Sequence, residues 1–315
     1  MAAFEILLRQ VGVFVILILV GYGASVSKLV SEAGFASIAS VVINLLLPLF
    51  MLTMLSSPSL RLQIGELALM FAAIALHYLL LFGGIRVIAR LMGWTGLFRD
   101  LNLVLLTSAS AGFMGVPLAS VLLGATGTFY IALFASLDVF LQWSYKARIL
   151  RAYQPEAMAA SPQPFLKRVL TPQIVCVVVG ITLGLMRVDL SGNIVWDTLK
   201  SVGDMTKWMG MLYVGSVLAD MRLEHLRPAL FVLLLRMLLY PILFCGLFSL
   251  IPGISSDLLL TLAIITSLPP MVSIPVMIHS MGIDDQYTSQ CLLLTTAASL
   301  FSMPAVIWVV MHAFA

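Results

Sequence analysis

Charge is scarce in this chain. Only 10% of its 315 residues are Asp, Glu, Lys or Arg, whereas 61% are hydrophobic. A soluble domain carries about 25% charged residues, so this composition cannot build a water-facing surface. Cysteine is scarce too. Cys176, Cys245 and Cys291 all fall in apolar stretches, a placement that suits small packed side chains better than disulfides or a metal centre. No GxxxxGK[ST] loop is present, which argues against an ATP-driven pump. No His/Cys/carboxylate cluster has metal-ligand spacing, and no nucleophile–base pair can be argued. The expectation is therefore no enzyme, no metal and no cofactor. The net charge of +3 resides in loops and gives no reason to expect nucleic acid.

Apolar runs dominate instead. A membrane span needs about 20 mostly apolar residues, and ten stretches qualify: 4–24, 36–56, 66–90, 100–124, 127–149, 172–187, 198–220, 228–250, 257–281 and 287–312. Pro58, Gly93, Pro252 and Gly282 break the chain between them. One longer polar stretch, 151–168, divides the chain almost in half. The expected organisation is a first five-helix repeat at 1–150, a linker at 151–168 and a second repeat at 169–315. The first stretch reads as a retained helix, since Glu5 and Arg9 cancel and no cleavage site clearly follows.

Orientation follows from Lys and Arg, which resist translocation. Eleven of them, among them Lys28, Arg86, Arg90, Arg99 and Lys146, fall on the side of the 151–168 linker. Four fall on the other: Arg9, Arg61, Arg187 and Lys200. This predicts a multi-pass protein of the cell (inner) membrane with both termini outside and the linker in the cytoplasm.

The two halves resemble each other. The fourth stretch runs from Asp100 through Thr107-Ser108 to Pro117 and closes at Gly124. The ninth runs from Asp257 through Thr266-Ser267 to Pro275 and closes at Gly282. An odd number of spans per repeat makes the second half enter from the opposite face, so the repeats are inverted. Inverted repeats with Gly/Pro-interrupted spans point to secondary transporters. Pro117 and Pro275 each remove a backbone donor, while Gly112 and Gly115, or Pro269 and Pro270, loosen the chain upstream. In lipid, freed peptide groups are tolerated only in protein or along a cavity. Two such breaks would face each other near mid-membrane, where helix N-termini can hold an anion.

Several segments resemble the auxin efflux carrier family. They are Asn44-Leu-Leu-Leu-Pro48-Leu-Phe50, Gly112-Phe-Met-Gly115-Val-Pro117-Leu118, Ser267-Leu-Pro269-Pro270 with Ser273-Ile-Pro275-Val276, Gly180-Ile-Thr-Leu-Gly184 and Val214-Gly215-Ser216. The resemblance covers essentially the whole chain. It implies an all-α membrane fold of ten helices, with a scaffold domain and a transport domain in which broken helices 4 and 9 cross at mid-membrane, as in sodium–bile acid symporters. It also implies small dicarboxylate-like substrates and a homodimer. The chain departs from the family at Ser110, where Asn is common, and at Met209, where Pro is frequent.

Ionisable residues inside spans default to functional readings. Asp138 sits in the middle of span 5 and reads either as a proton- or cation-coupling group or as a structural partner of Lys207 or Arg236. Gln142 shares its face one turn on and reads as a substrate contact. Lys207 is a candidate carboxylate ligand, whereas Arg236 is near enough to the cytoplasmic end of its span to snorkel. His77 and His279 carry the side chain whose ordinary pKa lies near neutrality and read as coupling candidates, though a lone helical histidine commonly just bonds a neighbour. Asn44 lies four residues before Pro48 and can stabilise the broken segment or meet substrate. Ser108, Ser110, Ser267 and Ser273 flank the two breaks. Asp284 and Asp285 read as caps of span 10.

The sequence thus predicts a carrier of a small organic anion, a mono- or dicarboxylate, working by alternating access. Its site comprises Asn44, Ser108, Ser110, Gly112, Pro117, Gln142, Lys207, Ser267, Pro269, Pro270, Ser273 and Pro275. Proton coupling, sodium coupling and potential-driven transport all stay open. A membrane sensor that binds without transport is the alternative.

Overall fold

The computed structural model describes residues 2–56, 64–155, 172–186, 188, 190, 192–219, 235–271, 273–284 and 286–314. Among these residues every regular element is a helix: α1 (Ala2–Val26), α2 (Glu32–Leu55), α3 (Ile64–Leu91), α4 (Gly96–Leu106), α5 (Val116–Leu122), α6 (Gly124–Tyr153), α7 (Pro172–Leu185), α8 (Ile194–Ala219), α9 (Leu235–Ser249), α10 (Ser256–Ser267), α11 (Ser273–Ser280) and α12 (Gln286–Ala313). Each expected apolar stretch carries helix, and the fourth and ninth each carry two. Four helices, α2, α3, α6 and α12, are long and apolar enough to cross a membrane; α1, α7, α9 and α10 contribute shorter apolar runs. The chain is a multi-pass membrane protein. Arg61, most of the 151–168 linker, Arg187 and Asp285 lie outside the described residues.

Local chemistry explains many helix ends. The Ser31 side chain accepts from the Gly34 N–H at the start of α2, and Ser255 accepts from Leu258 at the start of α10. Asp284 accepts from the Gln286 N–H ahead of α12, as expected of a cap. Gly124 (φ +61°) and Gly282 (φ +71°), the glycines that close the fourth and ninth stretches, both adopt left-handed backbone, which glycine alone enters without a steric cost.

Three π-helical turns share one cause. They span Val42–Leu46, Ala111–Gly115 and Leu235–Leu239. Each is followed, two residues after its end, by a proline: Pro48, Pro117 and Pro241. A proline ring clashes with the carbonyl four residues back, and that residue (Asn44, Phe113 or Met237) is the centre of each π turn. Widening the turn moves the carbonyl away from the ring. The Leu47 N–H accordingly bonds the Val42 carbonyl, five residues back. A fourth π turn, Gln142–Lys146 in α6, has no proline behind it.

The helices sort into two compact units, each drawing on both sequence halves. The first comprises 1–63, 111–136 and 170–221, hence α1, α2, α5, the start of α6, α7 and α8. Its most extensive contacts are α1 on α8 and α7 on α2. Glycine permits both approaches. A Cβ on Gly21 would lie 2.0 Å from the Leu212 carbonyl oxygen, and one on Gly215 would lie 2.0 Å from that of Ile18. A Cβ on Gly180 of α7 would lie 2.9 Å from the Leu52 carbonyl oxygen of α2.

The second unit comprises 64–110, 137–169 and 222–315, hence α3, α4, the end of α6 and α9 to α12. Its core gathers Leu101, Val104 and Leu105 of α4, Ala147 and Leu150 of α6, Ile274 and Ile278 of α11 and Cys291 of α12. The chain passes between units at Ser110–Ala111 and again at Ser136–Leu137. The resemblance implies a transport domain in which helices 4 and 9 cross at their breaks. In the structure α4 belongs to the second unit and α5 to the first, because α5 and the π turn before it pack on α1 and α8.

Candidate functional site

Two interruptions organise the second unit. The first is the non-helical stretch after Thr107, at Ser108–Ser110; the second begins at Leu268, after α10. Both open in the same way. Thr107 and Ser108 donate their hydroxyls to the carbonyls of Leu103 (2.7 Å) and Val104 (2.6 Å). Thr266 and Ser267 donate to Leu262 (2.7 Å) and Ala263 (2.6 Å). Such back-bonding competes with the backbone ladder. Downstream, Leu268 is extended (ψ 142°), as a residue before proline prefers.

The gap in the fourth stretch thus lies upstream of Pro117, which sits inside α5 behind a π turn. Pro275 likewise lies in the first turn of α11, where a missing N–H is tolerated. The prolines expected to break the helices therefore shape the segments that restart them, and the Thr-Ser pairs mark where they stop.

The freed backbone groups are bonded. The Ser110 N–H donates to the Pro269 carbonyl at 2.8 Å, joining the two breaks. The Ala109 N–H donates to Asp138 Oδ2 at 2.8 Å. Lys146 Nζ binds Asp138 Oδ1 at 2.5 Å, Ser108 Oγ at 2.9 Å and the Thr107 carbonyl at 3.1 Å. Arg236 Nη1 donates to the Leu106 carbonyl at the end of α4. One carboxylate and two cations therefore secure the first break.

Asp138 pairs with Lys146, while Arg236, one of the two partners expected for it, bonds the Leu106 carbonyl instead. The sequence had assigned Lys146 to the polar ends of the helices, yet it is fully buried in α6. In a regular α-helix, eight residues turn about 80° past two full turns. The wider π turn at Gln142–Lys146 advances less per residue and returns the ammonium over the carboxylate. Arg236 does not snorkel either; it is 1% exposed because the α4 C-terminus, whose last carbonyls lack helical partners, draws it inward.

Charge and satisfaction at this locus are unequal. Asp138, Lys146 and Arg236 are each at most 1% exposed, which leaves one buried positive charge in excess. Nε and Nη2 of Arg236, Oγ of Ser110 and Nε2 of Gln142 are buried without a hydrogen-bond partner among the described residues. A buried polar group costs free energy unless it is paired. The locus therefore offers several donors and a net positive charge, which suits an anion bearing oxygens.

The other anticipated residues distribute as follows. Ser273 Oγ donates to Gln142 Oε1 at 3.0 Å, linking α11 to α6. Pro270 is buried within the second break. His77 Nδ1 lies 2.8 Å from the Tyr240 hydroxyl, inside an aromatic nest with Tyr78 and Phe244. Asn44 reaches back along its own helix, donating to the Ser40 carbonyl (2.9 Å) and Oγ (3.2 Å). A Cβ on Gly112 would meet the Leu47 side chain at 2.9 Å, so the α2 helix packs close there. The side chains of Lys207 on α8 and His279 on α11 lie outside the described residues.

The structure therefore gathers Ser108, Ser110, Asp138, Gln142, Pro269 and Ser273 in one unit. Asn44, Gly112, Pro117 and Lys207 fall in the other. Sequence reading passed over Lys146 and undervalued Arg236. The available signal was Lys146 itself, a lysine eight residues beyond an intramembrane aspartate.

Residues 6–307 match the sequence profile of a family described as membrane transport protein. No curated protein matches the chain, so the assignment stands on that profile. A match over nearly the whole length, on an all-helical chain with apolar spans, places the protein in the auxin efflux carrier/membrane transport family.

Proposed function

We propose that this protein is a secondary transporter that carries a small organic anion, a mono- or dicarboxylate, by alternating access around crossed interrupted helices. The observation that carries the reading is the buried excess positive charge at the first break, where Arg236 keeps two N–H groups without a partner among the described residues. A carboxylate accepts from a guanidinium through two parallel bonds, and the Ser110 hydroxyl and Gln142 amide supply further donors. The Ser110–Pro269 bond supports a crossing of the two breaks.

The unit composition supports the inverted repeat. Each unit contains corresponding spans of both halves: the first, second, sixth and seventh in one, and the third, eighth and tenth with α4, α10 and α11 in the other. Under an exchange of span n for span n + 5, the α1–α8 contact maps onto the α7–α2 contact. These are the two broadest in their unit.

Asp138 acts in this reading as the residue that holds the break open, since both its oxygens are engaged. The Lys146 ammonium, bound by a carboxylate, a hydroxyl and a main-chain carbonyl, takes the place that an exchangeable cation would need. Transport at this locus therefore requires no sodium and follows the membrane potential.

Reconstitution tests the proposal. Proteoliposomes should accumulate or release labelled carboxylates without sodium, at a rate set by an imposed potential. Ligand binding with no flux would instead make the protein a sensor. Strict dependence on sodium would overturn the part assigned to Lys146.

A further inference from the structure

A second basic locus lies at the α3–α4 hairpin, away from the interrupted helices. A cavity of about 500 Å³ is lined there by Arg86, Arg90, Trp94, Arg99, Asp100 and Tyr145, among others. Asp100 is its one carboxylate, and it is already occupied: Arg99 binds it through two bonds of 2.8 and 3.1 Å, and Tyr153 donates to it at 2.8 Å. Among the described residues Arg86 bonds neutral groups alone, the Phe82 carbonyl and the Tyr145 hydroxyl. Arg86 and Arg90 stand one helical turn apart on α3, so they share a face. Among the described residues neither pairs with a carboxylate. Two uncompensated guanidiniums beside one cavity call for an anion with several oxygens.

The flank of the cavity identifies the source of that anion. Along α3 and the turn that follows it, Val87, Leu91 and Met92 are 53%, 82% and 51% exposed, so apolar surface runs directly alongside the arginines. Trp94 lines the cavity, and tryptophan concentrates where bilayer meets water. A free phosphate has no use for an apolar wall. A phospholipid needs both parts: charge for its headgroup and an apolar track for its acyl chains.

We propose that this cavity binds the phosphate headgroup of an anionic membrane phospholipid, held by Arg86 and Arg90, with its chains against the exposed face of α3. Basic pockets between membrane helices bind acidic headgroups in this manner, and the planar guanidinium matches phosphate geometry. The inference depends on the protein being embedded in a bilayer and stands apart from its transport activity.

Native mass spectrometry of the full-length protein in detergent tests it with three probes: phosphatidylglycerol, phosphatidylcholine and inorganic phosphate. Phosphatidylglycerol should remain bound where phosphatidylcholine does not. Its affinity should fall about fivefold for each arginine removed, in Arg90→Gln and then in the Arg86→Gln/Arg90→Gln double variant. Arg90 is exposed, so its replacement should leave the melting temperature unchanged, which separates lost binding from lost folding. Equal retention of phosphatidylcholine would overturn the proposal, as would undiminished phosphatidylglycerol binding by the double variant. Inorganic phosphate binding as tightly as the lipid would also overturn it, by making the ligand a soluble anion.

Discussion

Replacing Lys146 by methionine keeps most of the side-chain volume but deletes the ammonium that faces Asp138. The carboxylate then stays fully buried, with the Ala109 N–H still donating to it and the Tyr78 side chain beside it. Removing one member of a buried ion pair costs about 3–5 kcal/mol, because the other charge is left uncompensated. At roughly 2–4 °C per kcal/mol for a chain of a few hundred residues, the melting temperature in detergent should drop by about 10 °C. The Asp138→Asn/Lys146→Met double variant should regain most of that loss. Its amide oxygen still accepts from Ala109, and neither charge of the pair is left without the other. Melting of the wild type, both single variants and the double variant forms a complete cycle. If Lys146→Met melted with the wild type, or the double variant showed the simple sum of the single losses, the pair would not be holding the break together.

Arg236→Gln should lower carboxylate flux in proteoliposomes by more than tenfold, a loss of about 1.4 kcal/mol or more, while Arg236→Lys retains part of it. Equal flux in Arg236→Gln would remove this residue from the anion site. Ser110→Ala should weaken carboxylate binding in a thermal-shift titration yet leave the unliganded melting point near wild type, since the deleted hydroxyl has no partner among the described residues; unchanged affinity would count against it. Gly21→Ala and Gly215→Ala place a methyl group 2.0 Å from a backbone oxygen and should each cost about 3 kcal/mol or more, visible as a lower melting point or loss of the monodisperse peak in size-exclusion chromatography. Gly83→Ala, with nothing within 4 Å, should instead stabilise by about 0.5–1 kcal/mol.

Much of this architecture was legible because the bilayer simplifies the code. A run of apolar residues long enough to span must be helical, since lipid offers the backbone no partners. The paired Thr-Ser dipeptides followed by proline were equally visible as a repeat. Their mechanical role was less so. Prolines draw the eye as helix breakers, yet Pro117 lies within α5 and Pro275 opens α11. The hydroxyls of Thr107, Ser108, Thr266 and Ser267 donate back along their own helices.

Sequence alone determined the membrane class and the stretches in which the described apolar helices fall, because hydropathy and backbone chemistry act over a few residues. Only the tertiary structure decided which charges meet. Lys146 reaches Asp138 through a π turn that no local residue announces, and Arg236 turns inward because a helix end 130 residues away leaves a carbonyl in need of a donor. It also decided that the chain changes units at Ser110–Ala111. Such pairings depend on distance in space, and one-dimensional order carries little of that information.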